Sequence, residues 1–139
     1  MRQDPFTMIG ILIVSHGAFG EALIHCASHV LGKRPLLLRQ LGITVHDDPD
    51  AILPQARDLI RFLDKGKGVL VLTDMYGTTP SNIACKLLYP GHIEGVAGVN
   101  LPMLLRALDY RSRVTLPQLV EKVLSGGSEG VMRMPHQNC

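Results

Sequence analysis

One short stretch near the start of the chain, residues 9–17, constrains the fold more than any other part of the sequence. It is a run of branched aliphatic residues that stops abruptly at Ser15-His16-Gly17, and a helical pattern begins directly afterwards. Such a run is typical of a strand buried on both faces, as in a parallel sheet. The loop that leaves the carboxyl end of a strand is where ligands bind in open α/β sheets. His16 is therefore predicted to lie where a histidine can do chemistry.

The composition favours one small domain with an aliphatic core. Of the 139 residues, 46% are hydrophobic but only 4% are aromatic, and tryptophan is absent. A chain of this length can bury a substantial core, and aliphatic side chains suit helices packed on a sheet. We expect a single domain at residues 8–134, a disordered or vector-derived segment at residues 1–7 and a tail at residues 135–139.

Charge, apolar run length and cysteine spacing argue against several function classes. The formal net charge is +2 and no basic run exceeds two residues, so a nucleic-acid partner is not expected. Apolar runs are far too short to span a bilayer as a helix, and no signal-peptide pattern opens the chain. Membrane insertion is therefore not expected either. The three cysteines have no metal-type spacing, which predicts reduced thiols in a cytoplasmic protein without a metal site.

Strand and helix patterns alternate along the chain. Strands are predicted at residues 9–14, 35–41, 68–73 and 93–99, with a further short edge strand at residues 131–134. Predicted helices span residues 19–30 (ending at Gly32), 49–63 (capped by Asp48 and ending at Gly66), about 80 to before 90, 103–110, and a last one opening at Thr115. This alternation predicts an α/β fold, a doubly wound and mostly parallel sheet with flavodoxin-like topology.

Polar side chains follow three of the predicted strands, namely His16, Asp74 and Asn100. Right-handed crossovers bring the carboxyl ends of parallel strands to one edge, so we expect all three there. An aspartate that accepts a hydrogen bond from Nδ1–H would fix the histidine tautomer and leave the Nε2 lone pair free as a nucleophile. Asp74 is the natural candidate, and hydroxyls of Thr78 and Thr79 could help to hold a transferred phosphoryl group. We hypothesise that His16 carries that group.

Other interpretations stay open at this point. Loop ends converge in every doubly wound fold and many chains contain both residue types, so a histidine and an aspartate can meet there without doing chemistry. Ser15-His16-Gly17 lacks the preceding arginine of the Arg-His-Gly phosphatase signature, which counts against phosphoester hydrolysis. His25 and His29 could share a metal on the first helix, but no third ligand is in view.

The sequence resembles the IIA domain of the mannose-type phosphoenolpyruvate-dependent sugar phosphotransferase system (PTS) over nearly its whole length, residues 8–134. Each motif is weak alone, but together and in this order they are specific. The motifs are Ser15-His16-Gly17; Thr73-Asp74-Met75-Tyr76-Gly77-Thr78-Thr79-Pro80-Ser81-Asn82; Gly98-Val99-Asn100-Leu101-Pro102-Met103; and Ser128-Glu129-Gly130-Val131.

The resemblance implies a phosphotransferase with a phosphohistidine intermediate and no cofactor. His16 would accept a phosphoryl group on Nε2 from the histidine phosphocarrier protein HPr and pass it to a separate IIB component in sugar uptake. Asp74 would orient His16, and Thr79 stands where the family usually has a serine that contacts the phosphate, with Thr78 and Asn100 as further phosphate-binding candidates. The family is typically a homodimer that exchanges a C-terminal strand, which would be residues 131–134 here.

The sequence departs from the family pattern after the aromatic residue of the second motif. The family commonly has a glycine pair there, whereas here Gly77 is followed by Thr78. Since a β-branched residue does not readily take a positive φ, we expect a differently shaped loop or an additional hydroxyl. Alternative functions are a regulatory module whose His16 phosphorylation state controls partner binding, the phosphotransfer subunit of a dihydroxyacetone kinase, and a non-catalytic anion-binding domain.

Overall fold

The centre of the protein is a four-stranded sheet, every strand of which runs parallel to its neighbours, in the order β2-β1-β3-β4. We describe residues 4–137 of a computed structural model. The strands are β1 (Gly10–His16), β2 (Leu38–Ile43), β3 (Val69–Thr73) and β4 (Ile93–Ala97). The helices are α1 (Phe19–Leu31), α2 (Pro49–Leu63), α3 (Thr79–Cys85), α4 (Leu101–Tyr110) and α5 (Leu116–Glu129), and a short 3-10 turn, Pro5–Thr7, precedes β1.

Helices cover both faces of the sheet, so the two central strands are buried on both sides. Ile11 and Ile13 of β1 pack with α1, α4 and α5, whereas Leu12 and Val14 pack with α2 and α3. Every residue of β1 except His16, and all of β3, is buried. Because successive side chains of a strand point to opposite faces, a strand between two layers of helices must be apolar throughout. The predicted doubly wound α/β sheet is confirmed.

Local signals set several of the element ends as predicted. Gly32 ends α1 with a left-handed φ of 79°, and the Asp48 side chain accepts a hydrogen bond from the backbone N–H of Asp50 to cap α2. Thr115 and Gln118 form a reciprocal capping box at the start of α5. These contacts satisfy backbone groups that have no partner inside the helix.

The second strand begins later than predicted, at Leu38 instead of residue 35. Pro35 has no N–H to donate to a ladder, and Leu37 has a φ of 48°, outside the extended region. The fourth strand ends earlier than predicted, at Ala97 instead of residue 99, because Gly98 turns the chain with a φ of 84°. Helix α4 begins two residues earlier than predicted because Asn100 caps it.

The C-terminal part differs from the prediction. Helix α5 continues through Gly126 and Gly127 to Glu129, and residues 131–134 do not form the predicted edge strand in this chain. The glycine pair lets α5 lie close to α4: a Cβ at Gly126 would sit 2.8 Å from the Arg106 Cβ, and one at Gly127 would sit 2.6 Å from the Met103 Cε. A strand needs a partner for its backbone groups, and within residues 4–137 no strand pairs with 131–134. Exchange of this segment in a dimer stays a prediction.

Within the described part of the chain, no helix combines the length and the apolar character that crossing a lipid bilayer would require.

Candidate functional site

The side chains of His16 and Asp74 meet at the carboxyl edge of the sheet. The His16 Nδ1 atom lies 2.7 Å from the Asp74 Oδ2 atom, and the His16 backbone N–H donates to the same oxygen at 3.0 Å. His16 is the last residue of β1, and Asp74 directly follows β3. Since β1 and β3 are parallel neighbours with Val14 paired to Thr73, both residues leave the sheet at the same level. The structure brings together the two residues that the sequence proposed as a pair.

The imidazole is half exposed while its partner is largely buried. The His16 side chain keeps 54% of its surface accessible, against 14% for Asp74. An ionised carboxylate can only accept a hydrogen bond, so Nδ1 carries the proton that points at Oδ2, and in the neutral imidazole Nε2 carries the lone pair. Within residues 4–137, Nε2 makes no hydrogen bond. In the neutral ring, this arrangement directs the lone pair of Nε2 away from Asp74 and toward solvent.

Burial and hydrogen bonding act in opposite directions on Asp74. Burial raises the pKa of this carboxyl, but hydrogen bonds from His16 and from the Met75 backbone N–H outweigh it, and the net pKa is lowered. The Met75 N–H donates to Oδ1 at 3.0 Å. Three N–H groups thus hold Asp74 ionised and fixed in place.

Close backbone packing positions the turn that follows His16. Gly17 takes a φ of 50° and donates its N–H to the Ile43 carbonyl oxygen at 2.9 Å. A Cβ at Gly42 of β2 would overlap the Gly17 carbonyl oxygen. The turn after β1 therefore rests directly on the backbone of β2, and only glycine at position 42 allows that approach.

Ser15, named above only as part of the Ser15-His16-Gly17 motif, supports the site from within the sheet. Its side chain is fully buried, and its Oγ accepts the Gly20 N–H at 2.9 Å. This bond ties the first turn of α1 to the residue beside His16. A signal was present in the sequence, since a serine at the end of an otherwise aliphatic buried strand needs a hydrogen-bond partner.

The loop after β3 is closed by hydroxyl groups. Thr78 has a φ of −102°, so the backbone is unstrained, and its hydroxyl donates to the Met75 carbonyl oxygen at 2.7 Å. Gly77 takes the left-handed φ of 87° and donates its N–H to the Ser81 Oγ at 2.8 Å. Thr79, the first residue of α3, is exposed. The additional Thr78 hydroxyl thus closes the loop, while Thr79 is exposed at the start of α3.

Asn100 lies after β4 as predicted, but both ends of its amide have partners inside the protein. The Oδ1 atom accepts the Met103 N–H at 2.9 Å and caps α4. The Nδ2 atom donates to the Gly127 carbonyl oxygen of α5 at 3.1 Å. Asn100 therefore joins α4 to α5 through its amide.

The weaker sequence candidates have no chemical cluster around them. Between residues 4 and 137, no group of three or more His, Cys, Asp and Glu side chains could hold a metal ion. Exposed apolar side chains lie close to both site residues along the chain: Phe19, Met75 and Tyr76 are 43%, 62% and 78% exposed.

Comparison with known proteins identifies the family. Residues 10–124 match the family model described as "PTS system fructose IIA component". The chain belongs to this EIIA family. It is 31% identical over 125 residues to the PTS system mannose-specific EIIAB component of Escherichia coli K12, a match that covers 88% of this chain and 38% of that protein. The fructose-specific EIIA component of Bacillus subtilis 168 is 26% identical over 117 residues, which cover 84% of this chain and 80% of that protein.

Solved EIIA structures share the fold. The EIIA component from Streptococcus agalactiae superposes with a TM-score of 0.81 at 26% identity, covering 91% of this chain and 97% of that one. The mannose/sorbose-specific IIA subunit from Enterococcus faecalis gives a TM-score of 0.81 at 21% identity, covering 95% and 98%. The chain spans about 38% of the length of the mannose-specific EIIAB relatives that it matches.

Proposed function

We propose that this EIIA protein is a phosphocarrier that accepts a phosphoryl group from phospho-HPr on Nε2 of His16 and passes it to a IIB component. The observation that carries the proposal is the contact between His16 Nδ1 and Asp74 Oδ2 at 2.7 Å. This contact leaves Nε2, the opposite ring nitrogen, with a free lone pair in the neutral form of a half-exposed ring. The acceptor IIB lies outside these 139 residues.

The first transfer step exchanges one phosphorus–nitrogen bond for another. The Nε2 lone pair attacks the phosphorus of the donor phosphohistidine, a new P–N bond forms, and the P–N bond of the donor breaks. As Nε2 takes on the phosphoryl group, the ring becomes more positive and the ionised Asp74 beside Nδ1 stabilises it. Transfer onward to IIB reverses these roles, so the same contact serves both steps.

Two features support docking by another protein at this edge. The ring is reached from solvent, and exposed apolar side chains flank it: Phe19 follows β1, and Met75 and Tyr76 follow Asp74. Exposed apolar surface grouped around a reactive side chain is typical of a protein–protein contact. The Thr79 hydroxyl at the start of α3 is available to hydrogen-bond the transferred phosphoryl group.

The transfer can be tested with purified components. Incubation with phosphoenolpyruvate, the general PTS enzyme and HPr should add one phosphoryl group that is acid-labile, base-stable and mapped by mass spectrometry to His16. A His16→Ala variant should take up none, and His46→Ala, an exposed histidine on the same sheet edge, should behave as wild type. Phosphoryl uptake that survives in His16→Ala would contradict the proposal.

A second experiment separates a carrier from a regulatory module. Phosphorylated protein is mixed with a mannose-type IIB domain, and the label is followed on both chains. Loss of label from His16 with gain on IIB supports onward transfer. Binding to a partner that depends on the His16 state, without any transfer of label, would replace the carrier role with a regulatory one.

We also propose a homodimer in which residues 131–134 add to the sheet of a second copy. In this chain Val131, Met132 and Met134 are 76%, 71% and 73% exposed, and β4 lies at an edge of the sheet. Exposed apolar residues and an open strand edge both favour strand addition. Light scattering should give twice the chain mass, and truncation after Gly130 should give the monomer mass; a dimer that survives truncation would contradict strand exchange.

A further inference from the structure

A groove of about 680 Å³ opens at the edge of the sheet opposite to His16. Its walls come from the end of α1, the segment before β2 and one side of α4, and its innermost residues are Met8 and Arg111, each only 4% exposed. The size lies within the range of about 300–1,000 Å³ that is usual for small-molecule sites. His16 and Asp74 do not line it, since β1 separates the two sites.

The walls of the groove are apolar and partly open to solvent. Val30, Leu31 and Leu36 keep 59%, 47% and 45% of their surface exposed, and Leu105 and Leu108 line the opposite side. Together these side chains give the groove an aliphatic lining. A ligand with an aliphatic portion would remove this surface from water, which is favourable.

The floor of the groove holds a buried positive charge without a counter-charge. The Arg111 guanidinium donates from Nε to the Ile9 carbonyl oxygen at 3.0 Å and from an Nη to the Leu37 carbonyl oxygen at 2.8 Å. Both partners are neutral, and within residues 4–137 no carboxylate forms an ion pair with Arg111. Burial lowers the pKa of Arg111 to about 10, so the group stays charged at neutral pH. Buried charges are normally paired.

The other charged groups of the groove leave its surface positive. Asp109 is paired with Arg113 at 3.0 Å, and Arg106 is paired with Glu129 at 3.3 Å. Lys33 lines the rim, and no ion pair involves it among the described residues. The groove therefore combines an aliphatic wall with two cations, Lys33 and Arg111, that lack an anionic partner.

From this combination we propose that the groove binds a small amphiphilic anion, a carboxylate with an aliphatic chain. The carboxylate lies toward Lys33 and Arg111, and the chain lies along Val30, Leu31 and Leu105. The charge requirement excludes a neutral lipid alcohol as an equivalent ligand. The site is independent of the phosphoryl transfer at His16, because it shares no residue with that site.

Octanoate tests the proposal by NMR titration of the full chain, with 1-octanol as the neutral analogue. We expect saturable one-to-one binding of octanoate with a Kd of roughly 0.1–1 mM, shifts confined to the groove, and at least about tenfold weaker binding of octanol. No saturable binding of octanoate, or equal binding of octanol, would overturn the proposal.

Variants of the groove rim distinguish octanoate binding in the groove from binding elsewhere, and from occupation of the groove by a second copy of the chain. Val30→Asp and Lys33→Glu should each weaken octanoate binding at least about tenfold, whereas the matched controls Val45→Asp and Lys86→Glu, both exposed and outside the groove, should not. Arg111 is left unchanged because it also holds two backbone carbonyls. A wild-type affinity for octanoate in Val30→Asp would show that octanoate does not bind in the groove. A change in chain mass by light scattering in Val30→Asp would instead assign the groove to a second copy.

Discussion

One carboxylate oxygen of Asp74 accepts hydrogen bonds from both the ring and the backbone of His16. The two bonds are 2.7 Å from Nδ1 and 3.0 Å from the backbone nitrogen, and the second carboxylate oxygen accepts the Met75 N–H at 3.0 Å. The group that orients the imidazole is therefore itself held from two sides. This rigidity gives the His16 ring one preferred orientation before any phosphoryl donor docks.

Replacing Asp74 by asparagine should slow phosphoryl transfer without preventing it. The amide has nearly the same shape but loses the negative charge, and it can turn its NH₂ group toward Nδ1 and favour the wrong tautomer. By analogy with groups that orient a histidine in other sites, we expect a rate about 10- to 100-fold lower. Single-turnover transfer from phospho-HPr measures this rate.

The matched control for that experiment is Asp50→Asn, which changes an exposed aspartate in the first turn of α2. It should transfer at the wild-type rate. An unchanged rate in Asp74→Asn would show that the carboxylate does not orient the reacting ring.

The lowered pKa of Asp74 predicts a specific dependence of stability on pH. A carboxyl whose folded-state pKa is below its ordinary value stabilises the fold above about pH 4, and this contribution is lost as the pH falls through the lowered pKa. We expect the free energy of unfolding to decline more steeply below about pH 4 in wild type than in Asp74→Asn. Urea unfolding followed by circular dichroism at several pH values measures both slopes, and parallel slopes would contradict the assignment.

The sheet and the His16–Asp74 pair were predictable because their signals are local or follow from topology. The aliphatic runs of β1 and β3 predict strands buried on both faces, and parallel neighbours place their carboxyl ends side by side. Once β1 and β3 are adjacent, a residue at the end of one strand and the residue after the other must meet. The Asp48 cap and Gly32 similarly act within a few residues.

The remaining features depend on contacts between distant segments, which a single sequence does not reveal. Gly126 and Gly127 suggest a break, yet both lie within α5, and glycine is required there because a Cβ would overlap Arg106 or Met103. Asn100 follows a strand, as a ligand-binding residue would, yet its amide donates to the Gly127 carbonyl oxygen of α5. Leu37 holds a positive φ while Arg111, far along the chain, binds its carbonyl oxygen.

The two adjacent threonines after β3 should separate stability from function. Thr78→Val keeps the β-branched shape but removes the hydroxyl that donates to Met75, so we expect a loss of about 0.5–1.5 kcal/mol in unfolding free energy. Thr79→Ala removes an exposed hydroxyl at the start of α3, so it should slow transfer several-fold with little change in stability. Urea unfolding and single-turnover transfer on both variants test this, and a reversed pattern would exchange the two roles.

Gly42→Ala should damage the site from outside it. The added methyl group would overlap the Gly17 carbonyl oxygen, so the turn after His16 must move. Overpacking of this kind costs about 1–3 kcal/mol, and the rate of phosphorylation should fall as well. Gly32→Ala is the control: it has open space but a φ of 79°, so it should cost about 1 kcal/mol and leave the rate unchanged. Equal rates in Gly42→Ala and wild type would show that the Gly17 turn does not position His16.

Asn100→Ala tests whether this residue is structural or binds phosphate. The variant loses the α4 cap and the bond to the Gly127 carbonyl oxygen, so unfolding free energy should fall by about 1–2 kcal/mol. Asn100→Asp keeps the capping acceptor but not the donor, so its stability should lie in between. Because both ends of the amide are hydrogen-bonded within the fold, both variants should accept phosphoryl groups at the wild-type rate at a temperature where they are folded. A large fall in that rate, measured by single-turnover transfer, would show that Asn100 binds the phosphoryl group.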